Sequence, residues 1–239
     1  MAKMRGKPPR IPQLGTHGLD DQLHAYATAW SHAEPDGLAQ LRRATWTQVV
    51  KPQMICDELQ GRLLAMLSHM IRPQRVLELG TFTGYATACW TEGLAPGGIV
   101  DTVDINDELH LIQDEHWQAM DLASSIRRHT GHAMDVLKSG ELFSSDQRPF
   151  DVVFVDADKE HQEAYVRWAI EHVRDDGWIV VDNVLWWGEV MRVARGESTE
   201  AQAVRIHELN AFMKDHAELD NLILPLRDGL HVARRRARL

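Results

Sequence analysis

Two apolar runs of the sequence, FDVVFVD and WIVVDN, end in oxygen-bearing side chains: Asp156 closes the first, Asp182 and Asn183 the second. If these runs are neighbouring parallel strands, roughly 4.8 Å apart, their carboxyl ends bring two carboxylates and an amide together. That donor set suits a hard divalent cation, which takes oxygen ligands and keeps positions open to a substrate oxygen. Lys159 follows Asp156 by three residues, where its amine reaches a hydroxyl held beside the cation and takes its proton. One at a time, these residues read more readily as turn or cap acids and a solvated lysine. Their combination reads as chemistry.

A second corner lies in VLELGTFTGYATACW. Glu78 ends a strand, Gly80 and Gly84 fall in the turn, and a helical pattern follows. Glycines admit positive φ and close backbone approach, while a helix N-terminus offers free amide donors. Asp104 ends the next strand, 20 residues beyond Gly84 (104 − 84), and suits the diol of a ribose. These features imply an adenosine-containing ligand. The glycine spacing is G-x-x-x-G, not the G-x-G-x-x-G of nicotinamide binders, and Glu78 suits a cationic amino group that those cofactors lack. The plainer alternatives are an ordinary strand-to-helix turn and, for Asp104, a helix cap before ELHLIQ.

Both corners need a sheet to hold them. RVLEL, IVDTVDI, FDVVFVD and WIVVDN are short β-branched runs separated by stretches long enough for crossover helices. The alternation predicts an α/β fold with a doubly wound, mostly parallel sheet. A weaker strand is expected over 126–132, and NLILPLRDGLHVARRR predicts two strands joined at Asp228-Gly229. Before the sheet, residues 19–46 read as helical pieces broken at Pro35. The segment 53–70 carries Met54, Leu59, Leu63, Leu64, Leu67 and Met70 at helical spacing. Residues 1–18, rich in Pro, Gly and basic side chains, read as a flexible arm ahead of a single domain spanning 19–239.

The net charge of -9 disfavours polyanionic partners such as nucleic acid. The basic run Arg234-Arg235-Arg236 with Arg238 reads as a solvated chain end. Cys56 and Cys89 cannot build a disulfide framework, so a reducing compartment is expected. The opening residues lack a signal-peptide apolar core and no run is long enough to span a bilayer, so the expected location is cytoplasmic. Of the 13 histidines, His129 and His132 form a close pair near a strand and read as structural. Trp186 and Trp187 read either as core or as walls for an aromatic acceptor.

From residue 21 onward the chain resembles the cation-dependent O-methyltransferases, the group of catechol and caffeoyl-CoA O-methyltransferases. The resemblance rests on AEPDGLAQLRRAT, KPQMICDELQGRLL, VLELGTFTGYAT, DINDE, FDVVFVDADKE, DGWIVVDNVLWWGEV and LPLRDGLHVARR. It implies a Rossmann-like seven-stranded sheet whose last strand is antiparallel, and a homodimer. It also implies S-adenosylmethionine as cofactor, lined by Glu78, Gly80, Thr83, Tyr85, Asp104, Ile105 and Ala133 and covered by Met54. Asp156, Asp182 and Asn183 match the metal ligands, for Mg2+ with Ca2+ or Mn2+ as alternatives. Lys159 matches a general base, with Asp156 beside it at the reacting centre. Tyr165 and Trp186 match positions near a small aromatic acceptor, and Tyr165 and Asp156 also border the cofactor.

The chain departs from that pattern at three places. Ala86 replaces a serine whose hydroxyl helps hold the acid at position 78, so one hydrogen bond is expected to be missing. His161 and Gln162 replace Asn-Tyr after DADK, and 191–202 lacks a Pro-rich insertion. Two other classes compete with the transferase reading: a nicotinamide-dependent oxidoreductase, and a degenerate methyltransferase fold serving as a binding module.

Overall fold

A computed structural model describes residues 19–144 and 146–237; the arm expected over 1–18 and Arg238 lie outside the described residues. The chain runs α1 (Leu19–Trp30), α2 (Asp36–Gln48), α3 (Glu58–Ile71), β1 (Arg75–Leu79), α4 (Tyr85–Thr91), β2 (Ile99–Asp104), α5 (His110–Ala119), β3 (Ile126–Thr130) and α6 (Ala133–Ser139). It continues with β4 (Phe150–Val155), α7 (Gln162–His172), β5 (Val173–Asp182), α8 (Glu189–Ala194), α9 (Ala201–Asp215), β6 (Leu219–Leu224) and β7 (Leu230–Arg235). The strands form one seven-stranded sheet in the order β3-β2-β1-β4-β5-β7-β6. Strands β1 to β5 are parallel, and β7 is antiparallel to both β5 and β6. This is the doubly wound, mostly parallel sheet expected.

The apolar runs are continuous because helices cover both faces. Successive residues of β4 alternate: Val153 and Val155 pack with α6, α7 and α9, while Val152 and Phe154 pack with α2 to α5. The chain steps from β1 outward to β3, then returns to β4 on the other side of β1. The crevice of such a sheet opens at that reversal, above the carboxyl ends of the strands.

Three expectations change. The segment 53–70 is not one helix. Lys51 adopts left-handed φ +58, Pro52–Met54 make a single 3-10 turn, and α3 starts only after Asp57, whose side chain accepts from the Gln60 amide at 2.9 Å. A strong N-cap thus fixes the start later than apolar spacing suggested. The break at Pro35 stands, since α2 begins at Asp36.

The basic C-terminal run is solvated only in part: Arg236 is exposed and Arg234 half-buried, but Arg235 between them is buried. Arg235 is 5% exposed, donating to the Val173 carbonyl at 2.6 Å and lying 3.4 Å from Glu218. Arg234 pairs with Asp176, and Arg236 donates to Asp220 at 2.8 Å. Acids on β5, β6 and the turn before β6 absorb the charge.

The third is the histidine pair. His129 is structural, bonding Asp101 at 3.1 Å and Glu141 at 2.9 Å, whereas His132 turns to different partners, described below.

At the opposite end of the sheet from the crevice, Arg75 is fully buried. Its guanidinium reaches Asp101 at 3.1 Å and the carbonyls of Asp146, Arg148 and Leu142, and stacks 4.2 Å over Phe150. Both cysteines are free thiols. Among the described residues no helix is long and apolar enough to cross a membrane.

Candidate active site

The carboxyl ends of the strands open into a cleft of about 1190 Å³. One wall is the turn after β1. Gly80 has φ +97, and a Cβ there would stand 2.2 Å from the Asp156 carbonyl oxygen, so no other residue fits between the β1 and β4 ends. Gly84, at φ +83, is pressed against Trp117, whose ring nitrogen donates to the Gly84 carbonyl at 3.1 Å.

Asp104 shapes that wall from the next strand. One carboxylate oxygen accepts from the Thr81 and Phe82 amides at 2.9 and 2.8 Å; the other accepts from Asn106 at 2.9 Å. The helix-cap alternative for Asp104 is thereby removed, because α5 starts behind Leu109.

The acids of the metal corner follow from strand register. Val155 of β4 is paired with Val181 of β5, so the next residue on each strand, Asp156 and Asp182, emerges side by side. Asp182 is 5% exposed and fastened on both oxygens, by Gln60 Nε2 at 2.6 Å and by the Asn183 amide at 2.6 Å. Lys159 Nζ donates to Asp156 at 3.3 Å and to the Asp182 carbonyl at 3.4 Å. Burial raises the Asp156 carboxyl to about 7; Lys159 opposes the rise and the neighbouring Asp182 charge adds to it. Lys159 and, less strongly, Arg227 thus leave two crowded carboxylates short of positive charge. With Asn183 also lining the cleft, the corner offers an all-oxygen set with a charge deficit that a divalent cation fits.

The cleft brings together Met54, Gly80, Thr83, Tyr85, Asp104, Ile105, Ala133, Asp156, Lys159, Asp182, Asn183 and Trp186. Met54, Ile105 and Trp187 stand exposed at its rim. Trp186 is half-buried, donating its indole N–H to Glu200 at 3.1 Å, and both tryptophans adopt positive φ. Tyr85 touches the cleft, but its hydroxyl turns away to donate to Glu34.

Two expected residues stand elsewhere. Glu78 is fully buried behind the glycine wall, because the alternation of β1 points it with Val76 into the layer of α4. One of its oxygens accepts from Thr87 and Thr102, and the other has no protein partner. Burial raises this carboxyl to about 8 against the pull of the two hydroxyls. The missing hydroxyl at Ala86 is thus made good one position later. Tyr165 is buried in the opposite layer and reaches the site only through its hydroxyl, which donates to Asp158.

Other site residues were not singled out in the sequence. Gln60 holds Asp182 from 122 positions away. Arg227, in the turn read only as a hairpin signal, donates to the Ile55 carbonyl at 2.8 Å and approaches Asp57 at 3.6 Å, clasping the Met54 segment to the β6–β7 hairpin. Asp228 accepts from the Trp187 amide at 2.6 Å and fixes that turn against the cleft.

The profile of a family described as O-methyltransferase matches residues 28–236. A catechol O-methyltransferase of Mycobacterium tuberculosis is 34% identical over 169 residues, covering 71% of this chain and 73% of the relative. A caffeoyl-CoA O-methyltransferase of Stellaria longipes is 30% identical over 222 residues, covering 90% of each. Among solved structures, cofactor-bound Rv0187 from MTB superposes with a TM-score of 0.78 at 29% identity, covering 90% of this chain and 97% of that one. The glycine wall, the strand-end acids and these likenesses agree, and the chain belongs to the O-methyltransferase family.

Proposed function

We propose that the protein transfers a methyl group from S-adenosylmethionine to a hydroxyl of a small aromatic acceptor, catechol-like or hydroxycinnamoyl-like, with the help of a divalent cation. The observation that carries this reading is the contact between the two corners: Gly80 packs on the Asp156 backbone, so the cofactor wall and the acid corner face one cleft. The similar proteins support the same reading, since their names state catechol and caffeoyl-CoA methyl transfer.

The glycine wall and Asp104 would hold the adenosine end, with Met54 and Ile105 over it. Asp156, Asp182 and Asn183 would hold Mg2+, with Ca2+ or Mn2+ as alternatives. When bound, the sulfonium provides the methyl group and the cation lowers the pKa of a nearby hydroxyl. Lys159 Nζ, facing the same space, would remove or stabilise the proton of that hydroxyl, while the methyl carbon leaves the sulfonium sulfur for the oxygen and S-adenosylhomocysteine departs. Trp186 and Trp187 wall the ring of the acceptor. Fixing both reactants in one cleft supplies much of the rate enhancement through orientation.

A homodimer in the cytoplasm, with no nucleic-acid partner, belongs to the same proposal. Leu23, Tyr26 and Trp30 line one exposed stripe of α1 that a second subunit would cover.

The test is calorimetric titration of S-adenosylmethionine, followed by transfer assays on a catechol and hydroxycinnamoyl panel with Mg2+ and then EDTA. Binding with EDTA-sensitive transfer is expected. Binding without transfer to any acceptor would favour the binding-module reading, and no binding would overturn the assignment.

A further inference from the structure

His132 and His161, 29 residues apart (161 − 132), meet beside the cleft with Asp158 between them. His161 Nδ1 lies 2.7 Å from one Asp158 oxygen, and His132 Nε2 lies 3.9 Å from the other. The two rings stand edge to face, 5.1 Å between centroids. One ligand atom from each of the three residues falls within 4.8 Å of the others, and no other group of His, Cys, Asp and Glu among the described residues is gathered this closely.

We infer that His132, Asp158 and His161 form a second cation site, selective for a borderline, imidazole-seeking ion such as Zn2+. Bonds of 2.0–2.1 Å to a tetrahedral ion place neighbouring ligand atoms about 3.3 Å apart. The two ring nitrogens lie 2.7 and 3.9 Å from different Asp158 oxygens, and one ligand atom from each residue lies within 4.8 Å of the others, so side-chain rotations that draw them in by up to about 1.5 Å close the triangle. The donor set is two nitrogens and one carboxylate, which zinc accepts and magnesium does not favour. The oxygen corner on Asp156, Asp182 and Asn183 has the opposite preference.

The ligands are already oriented from behind. The Tyr165 hydroxyl and the His161 amide both donate to Asp158, as outer partners do at built metal sites. His161 and His132 each stand at the start of a helix, α7 and α6, which fixes their backbones. The three side chains are between 36% and 40% exposed, so an ion has access and a fourth position stays open.

The site borders the Ala133 end of the cleft. If the methyl-transfer reading holds, an ion there competes with the adenosine end of the cofactor and makes zinc an inhibitor. Zinc binding itself does not depend on that reading.

The experiment titrates Zn2+ into the full chain by calorimetry with Mg2+ in saturating excess, and repeats it with Co2+, read by the visible absorption of tetrahedral cobalt. One zinc per chain is expected. Its affinity should fall at least tenfold in His132→Ala and in His161→Gln and stay unchanged in Asp182→Asn. Since both histidines are over one-third exposed, the variants should keep the parent melting temperature, which checks that they fold. Unchanged affinity in the folded double variant, or loss of zinc in Asp182→Asn alone, would overturn the inference. A cofactor titration run alongside separates the two readings, because its failure leaves the zinc result standing.

Discussion

Thr87 donates its hydroxyl to the same Glu78 oxygen that accepts from Thr102, so the acid behind the glycine wall is held from α4 and from β2 at once. Removing one donor from a buried carboxyl group costs on the order of 1–3 kcal/mol. Thr87→Val, which keeps the shape, is expected to lose about that much stability in urea unfolding. An unchanged midpoint would show that Glu78 does not need this hydroxyl.

Glu78 also gives the chain a pH dependence. Its carboxyl is raised from 4.5 to about 8 by burial, so between those values the folded state binds the proton more tightly than the unfolded chain. The contribution to stability therefore falls as pH rises through that window, at a limiting slope of about 1.4 kcal/mol per pH unit. Glu78→Gln removes the titration. The stability of the variant minus that of the parent should then rise with pH from 4.5 towards 8, and a flat difference would refute the assignment.

Gly80→Ala is the sharpest steric test of the wall. A methyl group at φ +97, 2.2 Å from the Asp156 carbonyl, forces the β1 and β4 ends apart. The variant is expected to be destabilised by more than about 2 kcal/mol and to lose S-adenosylmethionine binding. Near-parental calorimetric binding would show that the two corners do not need this contact.

Gln60→Met keeps volume but frees one oxygen of Asp182. Loss of an outer partner lowers metal affinity roughly 10–100-fold, so Mg2+ binding should weaken by that factor while the fold persists.

Arg75→Met tests the far end of the sheet. It leaves Asp101 and three carbonyls without their buried donor. A loss of about 3–5 kcal/mol is expected, with cofactor affinity unchanged because Arg75 is remote from the cleft.

The sheet was legible because its strands are buried on both faces, so their apolar runs stand out without alternation. Asp156, Asp182 and Asn183 were legible because a parallel sheet gathers strand ends. The first residues of β5 were not, since the run WIVVDN begins at Trp178, and only the pairing of Val173 with Phe150, ahead of a register shift, carries the strand back to Val173. The burial of Arg235 was hidden for the same reason: Val173 and Glu218 come to it only through the sheet. His132 and His161 lie on separate crossover connections, and no local spacing announces that they meet. Glu78 was placed at the ligand because it ends the run before the glycines, yet strand alternation turns it away.

The Arg227 clasp has a consequence for the order in which the molecule matures. The hydrogen bond from Arg227 to Ile55 joins positions 172 residues apart, and Asp57 is shared between this clasp, His24 and the start of α3. Contacts of such long range carry a loop-closure cost that is met only after the intervening chain is paired. Strands β1 to β5 can therefore assemble while the Met54 side of the cleft is still loose, and the binding chamber is sealed only when the β6–β7 hairpin is in place. Competence to hold a ligand is in this sense acquired late in folding, when that hairpin docks.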